Sequence, residues 1–165
     1  MSSPTLAPPY GELLHRAAGT GPAYWGPGDH YRFLITGAES GGSYFAMEAL
    51  VPPGGGPPPH IHHNEDETFY IIEGQCSVRL GDDTILAATG DFVNAPRGTV
   101  HCFRNDGTTP MRMIITFSPA GIEKFFEETL DPALDPTHEP PNNIEELGAR
   151  FAAAAPRHGL EFIVA

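Results

Sequence analysis

The sequence has little positive charge. Its 165 residues include 9 Lys and Arg against 21 Asp and Glu, for a formal net charge of -12. The basic residues are scattered and form no run or stripe. Because a surface of this sign repels nucleic-acid phosphates and anionic lipid headgroups, we expect neither nucleic acid nor membrane as a partner. A small-molecule substrate is expected among its partners.

Long hydrophobic runs are absent as well. No apolar stretch approaches the ~20 residues that a membrane-spanning helix needs. The start, Met1 to Thr5, lacks the basic and apolar regions of a signal peptide. We therefore expect a cytoplasmic location.

Cysteine is scarce. The chain has two, Cys76 and Cys102, and neither lies in a Cys-x-x-Cys motif. Disulfides are rare in the cytoplasm, so we expect both to be free packing residues.

Glycine and proline are abundant, at 19 and 18 residues, which indicates many short elements joined by tight turns. Eight short β-type runs follow one another with no helical pattern between them, which predicts an antiparallel sandwich or barrel. The runs are His30–Thr36, Ser43–Val51, Thr68–Glu73, Ser77–Leu80, Thr84–Ala87, Phe92–Ala95, Val100–Arg104 and Met111–Phe117.

The composition divides the chain into three parts. Residues 1–29 are rich in Pro, Gly and Ala and are interpreted as an N-terminal arm. Residues 30–118 hold the β runs and form the predicted barrel. Residues 119–165 form a predicted helical extension packed on the barrel.

Helical periodicity is confined to the extension. Apolar residues recur at three and four positions from Ile122 to Leu130, which predicts a short helix after Pro119. A second helix is predicted over Asn143–Ala155, with Asn143 as its N-terminal cap. The proline-rich stretch Asp131–Pro141 between them is predicted to be an extended linker.

One histidine pair carries the chemistry. Alternate residues of a strand project to the same face, so His60 and His62 can direct both imidazoles at one point while His63 faces away. Glu67 follows after enough residues for a tight loop and the start of the next strand. His101 comes after a Pro-x-Gly turn and can reach the same point from a neighbouring hairpin.

These four side chains suit a metal. Three imidazoles and one carboxylate form a site for one divalent transition-metal ion: Ni, Mn, Fe, Co, Cu or Zn. Four protein ligands on an ion that accepts six leave two positions open, which is typical of a catalytic site.

The spacing resembles that of the cupin family. The first cupin motif, G-x5-H-x-H-x4-E-x6-G, and the second, G-x5-P-x-G-x2-H-x3-N, are both matched. The resemblance implies an all-β, double-stranded β-helix (jelly-roll) barrel, with the histidines and the glutamate as metal ligands. More narrowly, the chain is similar to bacterial cupins grouped with quercetin 2,3-dioxygenases. The matched residues are Gly54, His60, His62, Glu67 and Gly74, then Gly90, Pro96, Gly98, His101 and Asn105.

Three functions remain open. The leading hypothesis is a dioxygenase acting on a small aromatic or enolic compound, with Glu67 accepting the substrate's hydroxyl proton in a dry pocket. The alternatives are a non-oxidative isomerase, lyase or decarboxylase acting on a sugar or keto acid, and a non-catalytic binder of a small ligand. Candidate substrate contacts, which are first of all core residues, are Phe69, Phe103, Met113, Met47 and Phe45.

A homodimer is also expected. The arm and its apolar Tyr24-Trp25 pair need a surface to lie on. The edges of a jelly roll need cover against uncontrolled strand pairing. A second copy of the chain would supply both.

Overall fold

The computed structural model describes residues 13–133 and 140–163. Within these ranges the chain forms twelve β-strands, two α-helices and one 3-10 turn. The strands are Ala23–Trp25 (β1), His30–Ile35 (β2), Phe45–Val51 (β3), His60–His62 (β4), Asp66–Glu73 (β5), Gln75–Leu80 (β6), Asp83–Ala88 (β7), Phe92–Ala95 (β8), His101–Arg104 (β9), Met111–Ser118 (β10), Asp131–Pro132 (β11) and Leu160–Phe162 (β12). The helices are Glu123–Thr129 (α1) and Ile144–Ala154 (α2), and Ala155–His158 is the 3-10 turn.

The strands build two antiparallel sheets. The order is β11-β1-β2-β3-β10-β5-β8 in the seven-stranded sheet and β12-β4-β9-β6-β7 in the five-stranded sheet. Alternate residues of β10 turn inward, so Met111, Met113, Ile115 and Phe117 are all buried. This period of two places one face of the strand on the core. The predicted all-β fold with short C-terminal helices is confirmed.

Four short strands lie outside the eight predicted β runs, and one of them, β4, is the strand already expected for His60 and His62. β1 lies in the predicted arm, β11 opens the predicted linker, and β12 follows α2. β1 pairs with both β2 and β11, so the Tyr24-Trp25 pair lies in the chain's own sheet. That pair therefore needs no second subunit as cover, and the homodimer stays a prediction. Residues 1–12 of the arm and 134–139 of the linker lie outside the described residues, and the three-part division also stays a prediction.

Helix α2 is held from two sides. The Arg150 guanidinium makes two hydrogen bonds of 3.0 Å to the Asp131 carboxylate in β11. Asn143 donates to the same carboxylate, although its side chain was expected at the start of the helix as a cap. On the other side the Phe151 ring lies 5.0 Å from that of Phe125. Neither helix in the described part of the chain is long and apolar enough to cross a bilayer.

Both cysteines are free thiols. Cys76 is buried in the core, where burial raises the pKa of its thiol to about 11. Cys102 alternates on β9 with the buried His101 and Phe103, so it lies on the opposite side of the strand.

Candidate metal centre

The four residues predicted as metal ligands come together between the two sheets. His60 and His62 lie on β4, and His101 lies opposite His60 on the neighbouring strand β9. Glu67 comes from β5 in the other sheet. All four are buried, and one ligand atom of each lies within 4.8 Å of those of the others.

A single carboxylate oxygen sits at the middle of this cluster. Glu67 Oε2 lies 2.7 Å from Nε2 of His101, 3.3 Å from Nε2 of His62 and 3.8 Å from Nε2 of His60. All three imidazoles therefore present the same nitrogen. The rings converge from one sheet while the acid closes the site from the other.

The opposite ring nitrogens set the tautomers of two histidines. Nδ1 of His60 lies 2.9 Å from the Pro58 carbonyl oxygen, and Nδ1 of His101 lies 2.9 Å from that of Thr99. A carbonyl oxygen only accepts, so each Nδ1 must carry the proton and donate it. In the neutral ring this leaves the Nε2 lone pair directed at the cluster, as a metal ligand requires.

This donor set fits a metal ion. Three Nε2 atoms face one carboxylate oxygen, and satisfying every contact with protons would need at least two neighbouring imidazolium ions, His60 and His101. Burial opposes that charge and lowers the pKa of His60. A single divalent cation among the four ligand atoms would satisfy all of them without mutual repulsion.

The local charges keep Glu67 ionised. Burial favours its neutral form, but the contacts with the three surrounding imidazoles outweigh burial and hold the pKa of the Glu67 carboxyl well below its ordinary value. For His62, burial likewise favours the neutral form. The Glu65 and Glu67 carboxylates overcome it and raise the pKa of His62 to about 9. The site therefore carries a carboxylate at neutral pH.

Glu65 is a participant that the sequence analysis did not identify. Its Oε2 lies 3.6 Å from His62 Nδ1, and both side chains are buried. Neither Glu65 Oε2 nor His62 Nδ1 has a hydrogen-bond partner within the described structure. The separation is slightly too long for a hydrogen bond, and a small side-chain rotation would close it. The carboxylate thus stands behind His62 as backbone carbonyls stand behind the other two rings, and its spacing three residues after His62 was the available signal.

The cluster opens onto an inner cavity of about 60 Å³. Of the five predicted substrate contacts, Met47 and Phe103 line it. Phe69, Met113 and Phe45 do not, and are core residues instead. For Met113 the reason is depth along the strand: Phe117 of β10 pairs with Glu67, and Met113 lies four residues before Phe117. Alternation predicts which side chains point inward but not at which level of the barrel they lie.

Much of the cavity wall was missing from the sequence analysis. Phe162 and Leu160 come from β12, where they pair with His60 and His62. Three residues are too few for a recognisable strand pattern. Other walls come from residues far apart in the chain. The additional lining residues include Tyr31, Ile115, Phe117, Phe125, Phe126, Phe151, Leu160 and Phe162.

Comparison with known proteins agrees with this arrangement. Residues 47–117 match the family model described as the cupin domain. The chain belongs to the cupin superfamily. The structure of an RmlC-like cupin from Shewanella frigidimarina NCIMB 400 is similar over 68% of this chain and 96% of that one, with a TM-score of 0.58 and 21% identity.

Two quercetin 2,3-dioxygenases resemble this cupin in sequence. Identity is 29% over 102 residues with the Bacillus subtilis (strain 168) protein and 30% over 118 residues with the Aspergillus japonicus protein. The matches cover 62% and 67% of this cupin, but only 30% and 33% of those relatives. The chain therefore spans about a third of the length of these two proteins.

Proposed function

We propose that this cupin is a metal-dependent dioxygenase acting on a small aromatic or enolic compound. The observation that carries the proposal is the wall of the inner cavity, which is built from aromatic and aliphatic side chains. Glu67 is the one acid in its described lining, and neither Lys nor Arg lines it there. Such a wall suits an apolar ring system. The resemblance to two quercetin 2,3-dioxygenases supports the same chemistry.

The ligand cluster would hold the cofactor. His60, His62 and His101 would bind one divalent ion through Nε2, and Glu67 would bind it through Oε2. Ni, Mn, Fe, Co, Cu and Zn all accept this combination of ligands. When bound, the ion supplies a Lewis acid and, where it is redox-active, a route for electrons between substrate and dioxygen.

Glu67 has the properties of the general base. Its contacts with the histidines all use Oε2, which leaves Oε1 to accept the hydroxyl proton of the substrate. Phe103 and Phe162 would keep water from the resulting enolate, so that it reacts before it is reprotonated.

The lining also bears on the other hypotheses. An isomerase, lyase or decarboxylase for a sugar or keto acid needs polar partners for hydroxyl or carboxylate groups, since unpaired buried polar groups are costly. Apart from the metal ligands and Tyr31, the described lining of the inner cavity is apolar. A non-catalytic binder would fit the same walls, and turnover distinguishes it from an enzyme.

The sequence is the basis for our expectations about the substrate, the location and the oligomeric state. We expect a small-molecule substrate, a cytoplasmic location and a homodimer, with an acidic surface that favours solubility. Light scattering at micromolar concentration measures the oligomeric state. A monomer there would contradict the dimer.

The Glu67→Gln variant tests the proposed function. It retains the side-chain shape and one weak oxygen donor but removes the base. We expect it to keep much of its metal and to lose on the order of 10²–10⁴-fold in rate. Metal content is measured after purification without added ions, and oxygen uptake is measured against a panel of flavonols and β-diketones.

The matched control is Glu73→Gln, which removes an exposed acid from the same strand. It should leave both metal content and oxygen uptake unchanged. If Glu67→Gln retains metal and full turnover, the proton goes elsewhere and the base assignment is wrong. If the wild-type protein takes up no oxygen with any substrate of the panel, the dioxygenase proposal is wrong.

A further inference from the structure

A second and larger cavity adjoins the inner one. This outer cleft has a volume of about 350 Å³. It shares Tyr31, Pro57, Phe151 and Phe162 with the inner cavity, so these four side chains line both spaces. Ligand pockets usually measure about 300–1,000 Å³, and the 60 Å³ inner cavity is well below that range. Most of an aromatic substrate would therefore have to lie in the outer cleft.

The outer cleft contains one buried acid. Asp29 is 3% exposed and accepts a 2.8 Å hydrogen bond from the Tyr31 hydroxyl at Oδ2. Its other oxygen, Oδ1, is buried and has no hydrogen-bond partner among the described residues. A side chain at Gly55 would come within 2.8 Å of Oδ1, so glycine there leaves the oxygen room. An unpaired buried carboxylate oxygen is unfavourable because it has lost its hydrogen bonds to water. A hydrogen-bond donor on a bound ligand would therefore stabilise the Asp29 carboxylate.

The rest of the outer cleft is apolar. Pro57, Phe151 and Phe162 offer flat or ring-shaped surfaces to an aromatic system. No Lys, Arg or His lies in its described lining. An acidic ligand would thus meet the Asp29 carboxylate with no cation to balance it, whereas a neutral hydroxyl group could donate to Asp29.

We propose that the outer cleft binds the distal part of an uncharged, hydroxyl-bearing aromatic substrate, and that the Asp29 carboxylate accepts a hydrogen bond from its hydroxyl group. The reacting part of the substrate then occupies the inner cavity, and to that extent the inference rests on the proposed function. Burial raises the pKa of Asp29 to about 6, against the opposing effect of the Tyr31 hydrogen bond. At pH 7.5 the carboxylate is therefore ionised and accepts hydrogen bonds.

Binding to the Zn(II)-loaded protein at pH 7.5 tests this. Zn(II) is redox-inert, so the ligand is not consumed during the measurement. The probes are quercetin, flavone as the same ring skeleton without hydroxyl groups, and pyruvate as an acid, each titrated by calorimetry. For Asp29→Asn we expect the dissociation constant of quercetin to rise roughly tenfold to a hundredfold, as for a lost charged hydrogen bond. The affinity for flavone should not change, and pyruvate, which the Asp29 carboxylate repels, should bind the variant no more weakly than it binds the wild-type protein.

A second variant fills the outer cleft without touching Asp29. Gly148 lies on α2 and lines the cleft, and a Cβ there would have no neighbour within 4 Å. Gly148→Trp should therefore occupy the space and weaken quercetin and flavone at least roughly tenfold. The matched control is Ala149→Trp, which places the same side chain at the next, exposed position of the helix, outside the lining. It should bind both probes as the wild-type protein does.

Unchanged quercetin binding in Asp29→Asn or Gly148→Trp would overturn the inference, and so would a wild-type protein that does not bind quercetin. Oxygen uptake distinguishes failure of this inference from failure of the proposed function. The expected binding pattern without oxygen uptake would support the cleft and contradict the dioxygenase. Wild-type oxygen uptake with quercetin in Gly148→Trp would support the dioxygenase and contradict the cleft.

Discussion

The ligand cluster and the outer cleft are built in different ways. In the cluster, His60 and His101 are braced by backbone carbonyls, and the strands that carry them pair with each other. The outer cleft is assembled from β2, a proline-rich loop, α2 and β12, and its one acid has an unpartnered oxygen. Rigid strands with braced donors suit a fixed metal geometry, whereas a wall of separate elements can vary with the substrate. Metal binding and substrate selection should therefore respond to different substitutions.

Removing a ligand should have the largest effect. His101→Ala takes one of three imidazoles from the buried cluster, and the rigid strands cannot supply a replacement. We expect metal affinity to fall by more than the roughly 10–100-fold that loss of an outer-shell partner causes. Metal content and competition with a chelator measure this.

His63→Ala is the matched control for that variant. His63 belongs to the same motif but is exposed and pairs with Glu161 at the surface. It should retain metal as the wild-type protein does. Equal metal loss in both variants would show that the motif binds metal differently from the cluster described above.

Asp29 in the outer cleft should make the free energy of unfolding depend on pH. The pKa of Asp29 is raised from 3.8 to about 6, so ionisation costs the folded protein more than the unfolded chain. Relative to Asp29→Asn, the wild-type protein should lose stability as pH rises from about 4 to above 6. The full difference reaches up to about 3 kcal/mol, roughly half of it between pH 5 and 7.5. Urea unfolding of both proteins at these two pH values measures it, and parallel curves would contradict a buried, ionising Asp29.

A substitution at Glu65 tests whether the carboxylate behind His62 contributes to metal affinity. Glu65→Gln removes the carboxylate that faces His62 Nδ1 while keeping the side-chain shape. We expect a 10–100-fold loss of metal affinity, typical of an outer-shell partner. Asp66→Asn is the control, since Asp66 is paired with Arg97 at the surface. A Glu65→Gln variant with unchanged affinity would mean that His62 needs no carboxylate behind it.

The smallest effect should come from the attachment of α2. Arg150→Ala breaks the two hydrogen bonds to Asp131, and both side chains are about a third exposed. Solvent screening limits the loss to roughly 1 kcal/mol or less. Hydrogen exchange should nevertheless quicken in Ile144–Ala154, and quercetin should bind more weakly because α2 forms one wall of the outer cleft. Unchanged exchange would show that aromatic packing alone holds the helix.

Local pattern was enough to predict most of the barrel and the ligand cluster. The His60-x-His62 spacing puts two imidazoles on one strand face, and the structure bears that out. The predicted strands from His30 to Phe117 appear with ends shifted by at most two residues. Alternation over four to eight residues is a property of the chain itself, so it can be recognised without knowing what the strand packs against.

Contacts between distant parts of the chain could not be predicted in this way. β1, β11 and β12 have two or three residues each, and they are strands because neighbouring strands pair with them. Pairing with β4 brings Phe162 beside His60, and the stacking of the two sheets sets Glu67 against the histidines. The residue types and spacing of the candidate ligands were thus determined by the sequence alone. The walls that select a substrate were decided by tertiary structure, because sheet pairing and side-chain packing join residues that no local period relates.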